Sequence, residues 1–330
     1  MPVNEQIAQY SNWAYTSAVA VYVLAMFLYL GEQVFSRTRA KSEMAEMAEA
    51  RELVGAGGGG ISIVEPGDPV DTGRPGDRPL SERLGRMAVA LTVLGLVVHL
   101  LSIVLRGVSV HRWPLGNIYE FMSFFSLIAI SAMLVMFRRF PIRRLGAFVL
   151  LPVLILMFLG GTVLYAQAEP VQPALQSYWL VIHVTVVSTA SGILLVPGVS
   201  SLMYLIRGAH DRNPSRFARF APKLPTAATL DRLAYRTTIF GFPLFTFGVI
   251  CGAIWAESAW GRFWGWDPKE TTSFVAWVVY AAYLHSRATA GWRGNRAAII
   301  NIVGLAVMIF NLFFVNFVDT GLHSYAGVGS

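Results

Sequence analysis

The sequence contains very little cysteine and little charge. Of its 330 residues only Cys251 is a cysteine, and it lies within an apolar run. This count excludes an internal disulfide, a Cys-x-x-Cys redox pair and a thiolate cluster, so a partner must supply any thiols. Charged residues make up 14% of the chain, against about 25% in an ordinary soluble domain. The composition is therefore that of a membrane protein.

Long uncharged apolar runs are abundant instead. The residues are 55% hydrophobic and the mean hydropathy is +0.54. A bilayer core about 30 Å thick needs roughly 20 apolar residues per helix, and such runs are too long for the strands of a barrel. The sequence therefore predicts an all-α fold, a polytopic membrane bundle of about eight transmembrane helices. The predicted spans are 12–30, 86–106, 117–137, 145–165, 178–206, 237–256, 271–289 and 297–318.

The basic residues fall mainly on one side of the predicted membrane. The net charge is +7, and 22 of the 26 lysines and arginines lie in segments 31–86, 138–144, 207–236 and 287–296. Basic loops stay cytoplasmic, so the charge is explained by membrane topology and predicts no nucleic-acid partner. Both chain termini are then extracytoplasmic. The extracytoplasmic loops are 107–116, 166–177 and 257–270.

Three regions are predicted along the chain. Residues 1–30 form a transmembrane anchor, because the run lacks the basic start and small-residue cleavage site of a signal peptide. Residues 31–85, glycine- and proline-rich in their second half, form a flexible cytoplasmic linker. Residues 86–330 form the main transmembrane domain, which includes a tryptophan-rich segment at 255–270.

The tryptophan-rich segment is the most informative part of the sequence. Four of the nine tryptophans fall within 12 residues: Trp255, Trp260, Trp264 and Trp266. An interfacial aromatic belt accounts for one or two of them. Four, interleaved with glycines that permit close backbone approach, indicate a platform for a large planar apolar molecule, because aromatic faces stack on such a molecule and bury its area.

Two histidines lie at the predicted depth of this segment. His183 is about one turn inside the outer end of the fifth span, and His323 follows the eighth span. Neutral imidazoles on both faces of a haem would hold its iron. The alternatives are a hydrogen-bonded bundle residue for His183 and an exposed tail residue for His323. Since ionisable groups in spans are usually functional, we favour ligation of one haem by both.

The remaining histidines are weaker candidates. His285 lies roughly 22 Å below the outer end of the seventh span; either it ligates haem entering from the cytoplasm at a second site, or it reaches the headgroups beside Arg287. His99 is predicted to be a hydrogen-bonding residue within the bundle. His111 and His210 lie in loops and receive no role.

Four charged residues near the outer end are candidates for the binding site, and two of them have an alternative role. Arg112 would either pair with a haem propionate, as guanidinium geometry favours, or pair with Glu120. Arg262 and Lys269 would reach propionates. Asp267 is counted in the binding segment, although capping of the seventh helix is its favoured role. No catalytic residue is assigned.

The motifs around these residues resemble those of the CcsA (ResC) family, often labelled CcsB in actinobacteria. The resemblance covers roughly residues 86–327, and Phe263 stands where the family often has Tyr. It is carried by three stretches: Trp260-Gly-Arg-Phe-Trp264-Gly-Trp266-Asp267-Pro-Lys-Glu270, Tyr283-Leu-His285-Ser-Arg287 and Gly321-Leu-His323-Ser-Tyr-Ala-Gly327.

The resemblance implies one subunit of a two-component cytochrome c synthetase in the plasma membrane. In it, His183 and His323 correspond to the outer haem ligands and His285 to a transmembrane histidine. Ferrous haem b would be presented at the extracytoplasmic face for thioether attachment to apocytochromes with Cys-x-x-Cys-His. The implied partners are a ResB-like membrane subunit with a large extracytoplasmic domain and, indirectly, thiol-reducing proteins of the thioredoxin-like and CcdA types.

Three alternatives remain at this point. A CcmC or CcmF type protein shares the tryptophan-rich segment but feeds a haem chaperone, and the contexts of His285 and His323 argue against it. A carrier of the cytochrome b type would stack ligand pairs on facing helices, whereas these histidines flank a loop. A transporter of small solutes leaves the tryptophan cluster unexplained.

Overall fold

The computed structural model describes the backbone of residues 3–56, 79–170, 176–317 and 322, and the side chains of 3–36, 79–170, 176–313 and 322. Over these residues the chain is helical and has no strand. Short 3-10 turns at Arg143–Leu145 and Ala221–Lys223 supplement the α-helices. The helices are α1 Glu5–Ala56, α2 Leu80–Val110, α3 Ile118–Arg139, α4 Gly146–Thr162, α5 Tyr178–Arg212, α6 Ala227–Trp260, α7 Pro268–Ala288 and α8 Asn295–Phe317.

Each of the eight predicted spans lies within or closely overlaps one of these helices. Within the described residues, seven are long and apolar enough to cross a membrane; α7 is not among them. Its 21 residues carry Lys269 and Glu270 in the first turn and His285 and Arg287 in the last turn. The predicted all-α polytopic bundle is confirmed.

The predicted linker region, 31–85, contains parts of two helices. Helix α1 continues without interruption to Ala56, and α2 begins at Leu80. Residues 31–56 and 80–85 are therefore helical, and the division of the chain into 1–30, 31–85 and 86–330 stays a prediction. The rest of the linker, 57–78, lies outside the described residues.

A row of tyrosines joins α1 to its neighbours. Tyr15, Tyr22 and Tyr29 recur every seven residues and are buried, which keeps them on one face of the helix. The Tyr22 ring lies against Gly95 of α2, and the Tyr29 ring lies against Gly146 of α4. A Cβ at either glycine would lie within 2.8 Å of a ring carbon, so the close packing depends on the missing side chain.

Helix α1 is consequently part of the main core. Buried residues of α1 to α5 and of the start of α6 form one continuous apolar cluster, and α1 packs along α2 and α4. The predicted anchor 1–30 therefore shares its core with the domain that follows it.

The second half of the bundle is built around α5. Helix α5 packs lengthwise on α6 and also contacts α3 and α8, while α7 pairs with α8. These helices do not close completely at the end where α6 gives way to α7. The cavity left there contains the candidate site.

Candidate haem-binding site

A cavity of about 450 Å³ opens between α3, α4, α5, α6, α7 and α8. This volume is within the range of small-molecule and cofactor sites. Its walls are mainly apolar, with Phe121, Phe125, Val187, Phe245 and Leu312 among them. The polar side chains on its lining are Asn117, His183, Ser191, Lys269, Glu270, Ser273 and Asn311.

His183 lines this cavity from the second turn of α5. The helix begins after Ser177, whose side chain accepts the N–H of Trp179 over 3.2 Å, a normal N-cap. The Nδ1 of His183 lies 2.7 Å from the carbonyl oxygen of Gly248 on α6. A carbonyl can only accept, so Nδ1 carries the hydrogen, and in the neutral ring the lone pair is on Nε2. This is the usual arrangement of a ligating histidine.

Two glycines of α6 make room for that imidazole. Gly248 and Gly252 form a Gly-x-x-x-Gly pair, the spacing that lets two membrane helices approach closely. A Cβ at Gly248 would lie 3.2 Å from the backbone of Val187, and one at Gly252 would lie 2.6 Å from Cε1 of His183. The spacing was visible in the sequence, but its role at His183 was not predicted.

Trp255 lies parallel to His183. The two ring planes differ by 6° and their centroids are 6.3 Å apart. Trp255 is only 2% exposed and packs with Leu180 and Trp260. The Trp260 ring meets it nearly edge-on, with centroids 4.7 Å apart. Trp255 is therefore an interior residue beside the histidine, not part of an open shelf.

The turn from α6 to α7 presents the remaining tryptophans. Helix α6 ends at Gly261, which adopts φ +70° as a C-cap. Trp264 lines the cavity, and Trp266 meets it edge-on at 5.8 Å. Trp266 has φ +58°, a strained conformation for a bulky residue, and is 64% exposed. Of the predicted platform, Trp255 and Trp264 thus line the cavity, while Trp260 backs it and Trp266 points away.

Asp267 and Glu270 hold this turn together. Asp267 accepts the N–H of Lys269 over 3.0 Å, while Glu270 accepts the N–H of Asp267 over 3.2 Å and of Gly265 over 2.8 Å. This is a capping box, with Pro268 in the first helical position. Arg262 lies 3.5 Å from Glu270 and 5.7 Å from the centre of the Trp260 ring. The favoured capping role of Asp267 is confirmed.

Asp267 also reaches the C-terminal segment. Its Oδ2 accepts the backbone N–H of Leu322 over 2.7 Å. Leu322 directly precedes His323 in the chain, and His323 itself lies outside the described residues.

Lys269 is the only lysine or arginine on the cavity lining as the described residues form it. Its backbone carbonyl accepts from Asn311, whose amide also donates to Ser273 over 2.8 Å. Burial lowers the pKa of Lys269 to about 8, against an opposing effect of Asp267. The ammonium group therefore loses its proton more readily than an ordinary lysine.

Arg112 is engaged elsewhere. Its guanidinium forms two hydrogen bonds, of 2.8 and 3.1 Å, to the carboxylate of Glu120. Arg106 donates to the same carboxylate over 2.9 Å, and Gly116 donates its N–H over 2.7 Å. The alternative of an Arg112–Glu120 pair is confirmed. Arg112 and Gly116 both border a smaller neighbouring cavity of about 250 Å³.

The other histidines are distant from the cavity. His285 is exposed near the opposite end of α7. His99 is buried, with Nε2 2.9 Å from Ser123 and Nδ1 3.5 Å from Tyr22, which confirms it as a hydrogen-bonding bundle residue. His210 bonds to the carbonyl of Arg216.

The fold and cavity together define a class of protein: a polytopic helical membrane protein with an imidazole and tryptophans around an apolar cavity at one end. Comparison with known proteins narrows this class. The family described as "Cytochrome C assembly protein" matches residues 115–323. The chain belongs to this family, and its function is in cytochrome c biogenesis.

The related proteins agree with this assignment. The cytochrome c biogenesis protein CcsA of Prochlorococcus marinus is 36% identical over 251 residues, covering 68% of this chain and 79% of that protein. CcsA of Chlamydomonas reinhardtii is 37% identical over 261 residues, covering 71% and 72%. The predicted resemblance to the CcsA family is confirmed.

A solved structure shares the fold. "Cytochrome c Heme Lyase CcmF" superposes with a TM-score of 0.60 at 16% identity, over 95% of this chain. The chain spans 47% of the length of that protein.

Proposed function

We propose that the cavity binds haem b, in the ferrous form, as a substrate and presents it for covalent attachment to apocytochromes c. The observation that carries this proposal is the His183 imidazole, whose Nδ1–H is bonded to Gly248 at the wall of a large apolar cavity. A porphyrin supplies four nitrogen ligands to its iron, so the protein needs to add only axial ligands and apolar walls.

In the proposed site His183 and His323 are the two axial ligands. Trp264 and the apolar walls contact the porphyrin, and Lys269 and Arg262 contribute positive charge toward the propionates. Arg112 acts through Glu120, because its guanidinium is bonded to that buried carboxylate, to which Arg106 and the Gly116 N–H also donate. Asp267 supports the site by holding the turn and Leu322.

The attachment step needs positioning rather than an acid or base from this chain. Each apocytochrome thiol adds across one vinyl group: a C–S bond and a C–H bond form, and the S–H bond and the vinyl double bond are lost. No electron acceptor is required. The site must therefore direct both vinyl groups toward the apocytochrome and release one axial position to the histidine of its Cys-x-x-Cys-His segment.

The proposed enzyme is a complex. This chain would act in the plasma membrane with a ResB-like subunit carrying a large extracytoplasmic domain, and the cavity would face the extracytoplasmic side. Thioredoxin-like and CcdA-type proteins would keep the apocytochrome thiols reduced, since Cys251 is buried. His285 would receive haem from the cytoplasmic side, because it lies at the opposite end of α7.

Replacement of the proposed ligands by glycine tests the site. The His183→Gly and His323→Gly proteins should each lose one axial ligand, change their visible spectrum and lose cytochrome c maturation. Millimolar imidazole should enter the space left by the ring and partly restore both. His210→Gly is the matched control, because His210 is not on the cavity lining and bonds only to the nearby Arg216 carbonyl among the described contacts. Unchanged low-spin spectra in both ligand variants without imidazole would reject this ligand pair.

A second measurement separates a synthetase from an electron carrier. The chain, purified with its partner subunit and loaded with haem, is given a reduced Cys-x-x-Cys-His peptide. A synthetase should yield peptide that retains haem after acid–acetone extraction. A carrier of the cytochrome b type should keep all its haem extractable.

A further inference from the structure

We propose that Trp255 is a positioning residue that sets the ring plane of the His183 imidazole, and that it does so together with Gly248 and Gly252. This inference rests on the proposed function, in which His183 is an axial ligand. It replaces the expectation that Trp255 stacks on the porphyrin.

Three contacts of α6 determine the imidazole position. The Gly248 carbonyl binds Nδ1 over 2.7 Å and so fixes both the tautomer and the direction of Nε2. Gly252 leaves a space for the ring edge that a methyl group would fill. The Trp255 ring lies beside the imidazole in a nearly parallel orientation, with 6° between the planes and 6.3 Å between the ring centroids. These residues lie on successive turns of one helix face, at spacings of four and three residues.

Trp255 is itself prevented from turning. It is 2% exposed and contacts Leu180, while Trp260 closes on it at 66° between planes. Rotation of the imidazole about its bond to iron would therefore have to displace a packed indole. Second-shell contacts of this kind orient metal-ligating histidines.

The porphyrin direction follows from elementary coordination geometry. A metal–imidazole bond lies in the plane of the imidazole, so the ring stands perpendicular to the porphyrin. An indole parallel to the imidazole is then also nearly perpendicular to the porphyrin and presents its edge to it. Trp255 thus controls the rotation of the ligand about the iron–nitrogen bond, whereas Trp264, on the cavity lining, is left to contact the porphyrin.

Two substitutions test this assignment independently. Trp255→Ala removes the parallel ring, and Gly252→Ala inserts a methyl group 2.6 Å from Cε1 of His183. Gly208→Ala is the matched control, because the added methyl group would meet only Arg212 at an ordinary 3.5 Å. The full chain is loaded with haem b, and haem content, the ferric low-spin electron paramagnetic resonance spectrum and the reduction potential are measured. The g-values report the orientation of the axial imidazole planes, so a merely structural role would not shift them.

Both test variants should keep a low-spin haem but show shifted or broadened g-values and an altered potential. Haem retention should weaken roughly tenfold, as for other second-shell changes. Trp255→Phe, which keeps a flat ring, should restore most of the parent spectrum, and Gly208→Ala should match the parent.

The inference is overturned if Trp255→Ala loses haem as fully as Trp264→Ala while its remaining haem keeps parent g-values. It is also overturned if Gly252→Ala has the parent spectrum. The proposed function is tested separately by His183→Gly. If that variant keeps the parent spectrum, His183 is not the axial ligand and the proposed function fails, whatever the Trp255 and Gly252 variants show.

Discussion

The carboxylate of Asp267 joins two segments that are 55 residues apart, because it accepts N–H groups from Lys269 and from Leu322. His323, the proposed second ligand, is the next residue in the chain after Leu322. We expect Asp267→Asn to keep the helix cap, since Asn is an equally good N-cap. Its NH₂ group, however, would face the N–H of Leu322, and two donors cannot form a hydrogen bond. Haem should lose the His323 ligand in a fraction of molecules, and added imidazole should restore the low-spin spectrum.

A double-mutant comparison identifies the cause. The spectral effect of Asp267→Asn should disappear in a His323→Gly background, because no ligand is left to misplace. Thr226→Ala, which removes the α6 cap at 3.3 Å, controls for loss of a helix cap. An effect of equal size in both backgrounds would mean that Asp267 does not act through His323.

Lys269 should distinguish haem from its dimethyl ester. The ester lacks propionate charge, so the parent protein should bind haem more tightly than the ester. Lys269→Gln should reduce this preference to the part that Arg262 contributes. Since the ammonium group is lost as pH rises past the Lys269 pKa of about 8, the parent preference should be largest below pH 8 and decline above it. Titrations of the two porphyrins at several pH values measure this. Equal parent affinities at pH 7 would remove Lys269 from propionate recognition.

Trp264 and Trp266 should differ although they are two residues apart. Trp264 lines the cavity, whereas Trp266 is mostly exposed. Loss of a stacked ring costs on the order of 1 kcal/mol beyond its buried area, so Trp264→Ala should reduce haem affinity at least several-fold. Trp266→Ala should change it less. Replacing Trp260, Trp264 and Trp266 together should remove haem while both histidines remain; full occupancy in that folded triple variant would favour the aromatic belt.

Topology can be measured directly. The uneven distribution of basic residues predicts that the 261–267 turn and the C-terminus are extracytoplasmic. Alkaline phosphatase fused after Ser330 should be active, and a fluorescent protein fused there should be dark. The opposite pair of results would place the cavity on the cytoplasmic side.

Helix positions were predictable because the apolar runs are long, but the extent of α1 was not. The criterion was the length of each apolar run, and the first run ends near Leu30. Residues 37–56 are rich in Ala, Glu, Arg and Met, which have high intrinsic helix propensity, so the helix continues to Ala56. The seven-residue spacing of Tyr15, Tyr22 and Tyr29 is present in the sequence, but it does not show which other helices these rings contact.

The site was predictable where the chemistry is local. The Asp267-Pro-Lys-Glu270 capping box and the Arg112–Glu120 pair follow from short spacings. The contact of His183 with Gly248 spans 65 residues, and only the packing of α5 on α6 brings the two together. The sequence likewise predicted that four tryptophans form one platform. Composition does not specify the direction of each ring, which depends on the local backbone and packing.

The tyrosine row of α1 also has a consequence for biosynthesis. Tyr22 and Tyr29 reach His99 and Thr92 of α2, but the Tyr15 hydroxyl donates to the Met157 carbonyl of α4 over 2.7 Å. Helix α1 leaves the ribosome before α2 and α4, so its hydroxyl groups enter the bilayer before any of these partners exists. Two are satisfied when α2 inserts, and the third must wait until α4 has been made some 140 residues later. Helix α1 is therefore inserted before α4 but reaches its final packing only after α4 is in place.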